Sequence, residues 1–344
     1  MRIAIDVMGG DHAPDAILHG AIAALPLLRD GDEITLVGDE AIIREIIDEQ
    51  GHAGDPRLTI EPSTQIIEMD ESPVEAVRAK TDSSIARLAW LGSDRAERPA
   101  DVIISAGNTG ACVAAAQMAM RRLKVVHRPG IAVTIPTFHG PLIICDVGAN
   151  IVPRPTHLHQ YGHMASVYGH LIHGIENPRV ALLSVGNEEG KGTSLVRETS
   201  RLMRADKDLN YVGYVEGREL FDGGTDVVVT EGFTGNVVLK IAEGLAAGLF
   251  KTIAHEIIEI DPELAMRFEP VVKTIYAKHD YHEFGGAPLL GARGICMICH
   301  GSSEARTITN SVRNAISYVD HDVNDAIVKR LSSIAPVARD EEAA

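Results

Sequence analysis

Five short segments of this chain join glycine to residues that can hold an oxyanion. They are Met8-Gly9-Gly10-Asp11-His12, Ala106-Gly107-Asn108-Thr109-Gly110, Val147-Gly148-Ala149-Asn150, Gly186-Asn187-Glu188-Glu189-Gly190-Lys191-Gly192 and Glu231-Gly232-Phe233-Thr234-Gly235-Asn236. Each follows an apolar run and precedes a helical pattern. A helix N-terminus binds anions through its free N–H groups and its dipole. Glycine lets a backbone approach phosphate closely. In an open α/β sheet such loops are expected to gather at the carboxyl edge, where ligands bind. None fits G-x-x-x-x-G-K-[ST], and none gives G-x-G-x-x-G after the first strand. The pattern therefore points to a bare anion and away from an ATPase or an ordinary dinucleotide site.

Within these loops, Lys191 reads as a cation aimed at a bound oxyanion or as a solvated lysine. Asn108, Asn150, Asn187 and Asn236 offer amide donors, but Asn also tolerates turn geometry. His12, beside Asp11, suits acid-base chemistry or a phosphate contact; the alternative is a helix start capped by Asp11. His157, His159 and His163 suggest a metal cluster, yet positions 157 and 159 face different sides of a helix. Cys112 lies early in a helix, where a thiolate can be stabilised, but its neighbours Ala111, Val113 and Ala114 are apolar. Cys296-Met297-Ile298-Cys299-His300 has the form of c-type haem attachment. It sits in a continuous apolar run, as a buried strand would, and lacks a second ligand pair for zinc. There is no G-x-S-x-G and no Ser-His-Asp order.

Positioning these loops calls for alternating strands and helices. Strands are predicted at Ile3–Val7, Ile34–Val37, Leu58–Ile60, Val102–Ser105, Ile131–Ile135, Leu142–Asp146, Val180–Val185, Tyr211–Val215, Val227–Thr230 and Ile295–Cys299. Several are rich in Val and Ile without polar alternation, as strands covered on both faces are. Ile42, Ile43, Ile46 and Ile47 make one helical stripe. Ser72-Pro73-Val74-Glu75 is a helix start with a capping box. The alternation predicts an α/β sandwich around a mostly parallel sheet. Ile131–Ile135 and Leu142–Asp146 are joined by Pro136 to Pro141, too short for a helical crossover, so this pair should be an antiparallel hairpin. Ala246–Ile260 and Pro262–Ala277, with Asp261-Pro262 at the turn, read as a helical hairpin over 246–281 that projects from a single domain spanning 1–334. Residues 335–344 read as a flexible tail.

The 344 residues carry a formal net charge of −16 and only 4% aromatics. Both oppose nucleic-acid binding, which needs cations and stacking surfaces. Asp6 interrupts the first apolar run, so no signal peptide is expected. Val237 to Ala254 contains Lys240, Glu243 and Lys251 and reads as a soluble helix. A cytoplasmic location is expected, with the four cysteines reduced.

At the loops the chain resembles the acyl-carrier-protein:phosphate acyltransferase family, PlsX. The matching blocks, in family order, are IAIDVMGGDHAP, ISAGNTGA, CDVGAN, GIENPRVALLSVGNEEGKG, DVVVTEGFTGNVVLK, FGGAPLLG and HGSSEA. Val7, Ser184, Asn187 and Glu231 depart from the usual pattern. Asn187 stands where the family has a carboxylate, although Glu188 and Glu189 remain. The resemblance implies a three-layer α/β/α fold similar to phosphotransacetylase and isopropylmalate dehydrogenase. It implies a homodimer lying loosely on the inner membrane face, transfer of a long-chain fatty acyl group from acyl carrier protein to inorganic phosphate, and hand-over of the acyl phosphate to a membrane glycerol-phosphate acyltransferase.

Loops and blocks together mark Lys191, Asn236 and His12 for catalysis. They mark Asp6, Gly9, Gly10, Asp11, Ser105, Gly107, Asn108, Thr109, Gly110, Asp146, Asn150, Glu189, Phe233, Thr234, Gly235, Gly286 and Leu289 for substrate contact. No metal and no cofactor is expected. Phosphate should sit on Gly107 to Gly110 and Gly9 to His12, within reach of Lys191 and Asn236. The acyl chain should lie against Ala287, Pro288, Leu289 and Leu290. Arg121, Arg122, Lys124, His127 and Arg128 form the densest basic patch, suited to an acidic carrier. The alternatives are a nicotinamide-dependent decarboxylating dehydrogenase of similar fold, which needs an adenosine site and clustered aspartates, and a non-catalytic membrane scaffold for lipid synthesis.

Overall fold

The computed structural model describes residues 1–279 and 284–334. The expected tail at 335–344 and the last residues of the expected hairpin lie outside the described residues. Eleven strands form one sheet: β1 (Arg2–Asp6), β2 (Glu33–Gly38), β3 (Leu58–Pro62), β4 (Val102–Ser105), β5 (Gly130–Thr137), β6 (Gly140–Cys145), β7 (Val180–Leu183), β8 (Tyr211–Val215), β9 (Val227–Val229), β10 (Ala287–Leu290) and β11 (Ile295–Ile298), in the order β3-β2-β1-β4-β11-β10-β5-β6-β9-β7-β8. β3, β2, β1, β4 and β11 are mutually parallel. β10 runs against both β11 and β5. β5 and β6 form the antiparallel hairpin that their short link requires. β9, β7 and β8 then run parallel to β6.

The helices are α1 (Asp15–Ala23), α2 (Glu40–Glu49), α3 (Pro73–Ala79), α4 (Ser84–Leu91), α5 (Thr109–Ala119), α6 (Pro155–His173), α7 (Ser194–Ala205), α8 (Gly232–Ile260), α9 (Pro262–His279), α10 (Ala305–Asp320) and α11 (Val323–Ser333). They cover both faces of the sheet. Because strand side chains alternate, Ile3 and Ile5 of β1 join one buried cluster with Ile17 and Leu18 of α1 and Ile308 and Val312 of α10. Ala4, between them, joins the other with Leu88 of α4 and Ala115 and Ala116 of α5. This is the expected three-layer α/β/α arrangement.

Two expectations are corrected. Ala287–Leu290 is a central strand, with Leu289 and Leu290 buried; Gly285, Gly286 and Pro288 hide it from a propensity reading. The helix expected from Ala246 begins at Gly232. Its early glycines look like a break, but Glu231 caps the helix through the Phe233 and Thr234 N–H groups. The Asp261 turn into α9 falls where the sequence places it. From Asn236 to Ile275 no described side chain is buried.

Several histidines are held neutral. Burial lowers His163 and His173 to about 4. An imidazole near 6.5 in the unfolded chain then binds protons that the folded chain refuses, so stability is full above about 6.5 and falls as pH drops toward 4. Urea denaturation at pH 7 and pH 4.5 should show this loss. It should be smaller in His173→Gln, which keeps a donor for the Thr134 hydroxyl, 2.9 Å from His173 Nε2. Equal pH dependence in both proteins would remove His173 from the effect.

Candidate active site

Strand direction divides the five glycine loops into two groups. The loops at 8–12 and 106–110 follow β1 and β4, which are neighbours. The loops at 147–150, 231–236 and 186–192 follow β6, β9 and β7, also consecutive neighbours but running the other way. Between the groups stand β11, β10 and β5. At about 4.8 Å per spacing, β4 and β6 are about 19 Å apart, and β7 is about 29 Å from β4. The five loops are thus divided by strand direction between two sets of strand ends.

The first group is built around Asp6. Its carboxylate is fully buried, accepts from the Ser105 hydroxyl at 2.7 Å and from the Met8 N–H at 3.1 Å, and is pushed up by desolvation. Ser105 in turn accepts from the Gly107 N–H. A methyl group on Gly9 would meet Gly107 at 2.7 Å, so only glycine allows the two loops to touch. Asn108 caps α5 through Ala111 N–H and donates its amide to the carbonyls of Glu68, Met69 and Glu71. Asp6, Ser105 and Asn108 thus brace the two loops. Thr109, Gly110, Gly10, Asp11 and His12 remain at the surface, but with Asp11, Glu68 and Asp70 exposed around them. That charge opposes a phosphate dianion.

The second group is built around Asp146, also fully buried and also raised by desolvation. Its two oxygens accept from the Ile131, Gly148, Ala149 and Asn150 backbone N–H groups and from the Asn150 side chain. Asn150 further donates to the Pro129 carbonyl at 2.7 Å and the Tyr161 hydroxyl at 2.8 Å. Asp146 and Asn150 therefore hold loop 147–150. Gly235 sits against the Asp146 carbonyl, where a methyl would overlap it, and the Thr234 hydroxyl donates to Glu231. Phe233, Asn236, Glu189 and Lys191 are left on the outer side, Thr234 and Gly235 excepted.

This second group carries the cations. The Asn150–Pro129 bond brings Arg128 beside the loop, and Arg154 starts α6 just after it. His127 and His157 meet edge to face, with ring centroids 5.9 Å apart. His157 is lowered to about 4, by burial first and then by His127, Arg128, Arg154 and Arg122. The basic patch read from 121–128 is thus extended by Arg154 and the start of α6. Arg154 and His157 were missed because they belong to the patch only through the fold.

The remaining candidates fall away from chemistry. Gly286 and Leu289 line the sheet interior, the former donating its N–H to the Ser311 hydroxyl. Cys112 is buried and pushed up to about 12 by desolvation, which removes it as a nucleophile. Cys296 and Cys299 are buried, as a core strand requires. His159 and His163, four apart on α6, both place Nε2 against Asp206 Oδ2, at 2.7 and 2.8 Å. Arg330 donates to His163 Nδ1 at 3.2 Å. That bond fixes the His163 proton on Nε2, the atom a metal would need, so the cluster works as a clamp joining α6, α7 and α11.

Replacing Asp146 by Asn points an NH₂ group at backbone donors. Asp146→Asn should lose about 1–3 kcal/mol in urea unfolding. An unchanged midpoint would show that the carboxylate does not hold the loop.

Over residues 1–326 the chain matches the family described as "Fatty acid synthesis protein". It is 41% identical over 341 residues to a phosphate acyltransferase of Geotalea uraniireducens (strain Rf4), with 98% of this chain and 96% of the relative covered. With a phosphate acyltransferase of Desulfitobacterium hafniense (strain DSM 10664 / DCB-2) it shares 43% over 334 residues, covering 96% and 98%. Its fold is similar to a phosphotransacetylase from Streptococcus pyogenes (TM-score 0.61, 16% identity, 93% and 94% covered) and to a branched-chain phosphotransacylase from Enterococcus faecalis V583 (TM-score 0.55, 14% identity, 93% and 99% covered). With near-complete coverage by such relatives, the chain belongs to the phosphate acyltransferase family.

Proposed function

We propose that the enzyme transfers a fatty acyl group from the thioester of acyl carrier protein to inorganic phosphate, at the loops that follow β6, β9 and β7. The observation that carries this reading is that the 147–150 loop, joined to the 231–236 loop by the Gly232 N–H bond to Asn150, lies beside Arg128 and Arg154. Phosphate binds among these cations. One of its oxygens attacks the thioester carbonyl, and the C–S bond then breaks to release the carrier thiolate. Phosphate is a competent nucleophile near neutral pH, so positioning and charge stabilisation matter more than a strong base. The Lys191 ammonium and the Asn236 amide stabilise the developing oxyanion or the thiolate. A thiol with a pKa of about 8.5 leaves without a full general acid.

Labelled phosphate and acyl-carrier thioester should give labelled acyl phosphate. Lys191→Ala and Asn236→Ala should each lower turnover by about 10²–10³ with the fold intact. Activity within a few fold of wild type would remove both from the mechanism. Arg121→Glu with Arg122→Glu should raise the KM for the carrier thioester and spare that for phosphate; equal changes would place the carrier elsewhere.

The enzyme is further proposed to work as a homodimer that touches the membrane and passes acyl phosphate to a glycerol-phosphate acyltransferase. No helix among the described residues is long and apolar enough to cross a membrane. The turn between α8 and α9 exposes Ile258, Ile260, Leu264, Met266 and Phe268, which suits shallow insertion. Ile258→Asp with Leu264→Asp should abolish flotation with anionic vesicles. Unchanged flotation would reject the tip as the contact.

A further inference from the structure

β7 and β8 are parallel neighbours, with Leu183 beside Val215. The segments that follow them therefore leave the sheet at the same edge. After β7 comes the 186–192 loop with Lys191. After β8 comes a short turn at 216–219. In that turn the Glu216 N–H donates to Glu219 Oε2 at 3.0 Å, and the Glu219 N–H donates to the Glu216 carbonyl at 2.9 Å. The Glu219 carboxylate is thus fixed by its own turn. It is held below the usual carboxylate range, first by the Glu216 N–H and then by the Asn187 amide. Asn187 Nδ2 donates across the gap, 3.1 Å from each Glu219 oxygen. This contact ties the loop after β7 to the turn after β8.

The far end of the loop is tied to α7. The Arg197 guanidinium donates to the Gly192 carbonyl at 2.6 Å, and Thr193 caps the helix through the Val196 N–H. Between the two ties the Lys191 N–H donates to the Glu188 carbonyl at 2.9 Å, which closes a turn. The Lys191 stem crosses Gly186: a methyl group there would stand 2.8 Å from Glu188 Oε2 and 3.2 Å from Lys191 Cγ. Gly186 is buried, whereas Asn187, Glu188, Glu189, Gly190 and Lys191 are exposed. The ammonium is therefore carried on an exposed span whose place depends on its two ends. We propose that Asn187 is a positioning residue: its amide, held on Glu219, sets where the 186–192 loop presents the Lys191 ammonium. This rests on the proposed role of Lys191 in acyl transfer. A reacting geometry misplaced by about 1 Å can lose on the order of 10²-fold in rate. One exposed hydrogen bond that adds little to global stability can therefore still govern turnover.

Asn187→Asp keeps the size of the side chain but removes the donor and sets like charge against Glu219. It should lower kcat by roughly 10- to 100-fold and leave the KM for the carrier thioester within about twofold, with the urea midpoint unchanged. Hydrogen–deuterium exchange across 186–192 should become faster. Glu219→Gln keeps an acceptor for the Glu216 N–H and supplies an amide. Asn187→Asp with Glu219→Gln therefore re-forms the tie with donor and acceptor exchanged, and both kcat and exchange should return toward wild type. In a Lys191→Ala background Asn187→Asp should cost nothing further, because residues that act as a unit are not additive. A further loss of turnover in that background, or unchanged exchange in Asn187→Asp, would overturn the inference. Turnover of Lys191→Ala within a few fold of wild type would defeat the reading of Lys191 by its own test and take the inference with it. Exchange measured with Lys191 in place separates the two failures, because it reports the tie without the reaction.

Discussion

β10 runs against both of its neighbours, and β6 runs against β5. These reversals decide which loops can share a ligand. Had the sheet been parallel throughout, all five glycine loops would lie along one edge, as in an open α/β fold. Instead β1 and β4 present two of them, and β6, β9 and β7 present three, with β11, β10 and β5 between. Each group has its own buried aspartate, its own loop amides and its own surface charge. Arg128 and Arg154 lie beside the second.

The two aspartates, Asp6 and Asp146, use a similar device with different outcomes. Each sits at or just past a strand end with no exposure, and each accepts N–H groups of the loop that follows. A buried carboxylate is costly unless hydrogen-bonded, so the pairing orders the loop strongly. It also occupies amides that would otherwise face an anion. Glu231 does the same at the start of α8. The glycine loops thus act less as amide cradles than as rigid frames. They leave Lys191, Asn236, Arg128 and Arg154 at the surface. With 48 acidic and 32 basic residues in the chain, such a local concentration of cations runs against the overall charge.

Most of the architecture was legible in the sequence. Val- and Ile-rich runs gave ten strands to within a few residues, and the length of the link after Ile135 gave the hairpin. β10 was not legible, because glycines flank four residues that include Pro288 and whose strand character comes from their neighbours. The full extent of α8 was hidden by Gly232 and Gly235, which serve close contact with Asp146 and not a break. At the site, residue types were read correctly as loop-forming, but their direction was not. Whether Asn150 points outward or into the interior depends on Pro129 and Tyr161, which are 21 and 11 residues away in the chain. The join of 121–128 with Arg154 and His157 likewise exists only once β5 and α6 have been placed.

The central claim is that phosphate binds where β6, β9 and β7 end, among Arg128, Arg154 and Lys191. Hydrogen–deuterium exchange with and without saturating inorganic phosphate tests it most directly. Slower exchange in 147–157 and 186–192, with 8–12 and 107–111 unchanged, is the predicted result. Protection confined to 8–12 and 107–111 would put the anion at the acidic end of the molecule and contradict the account.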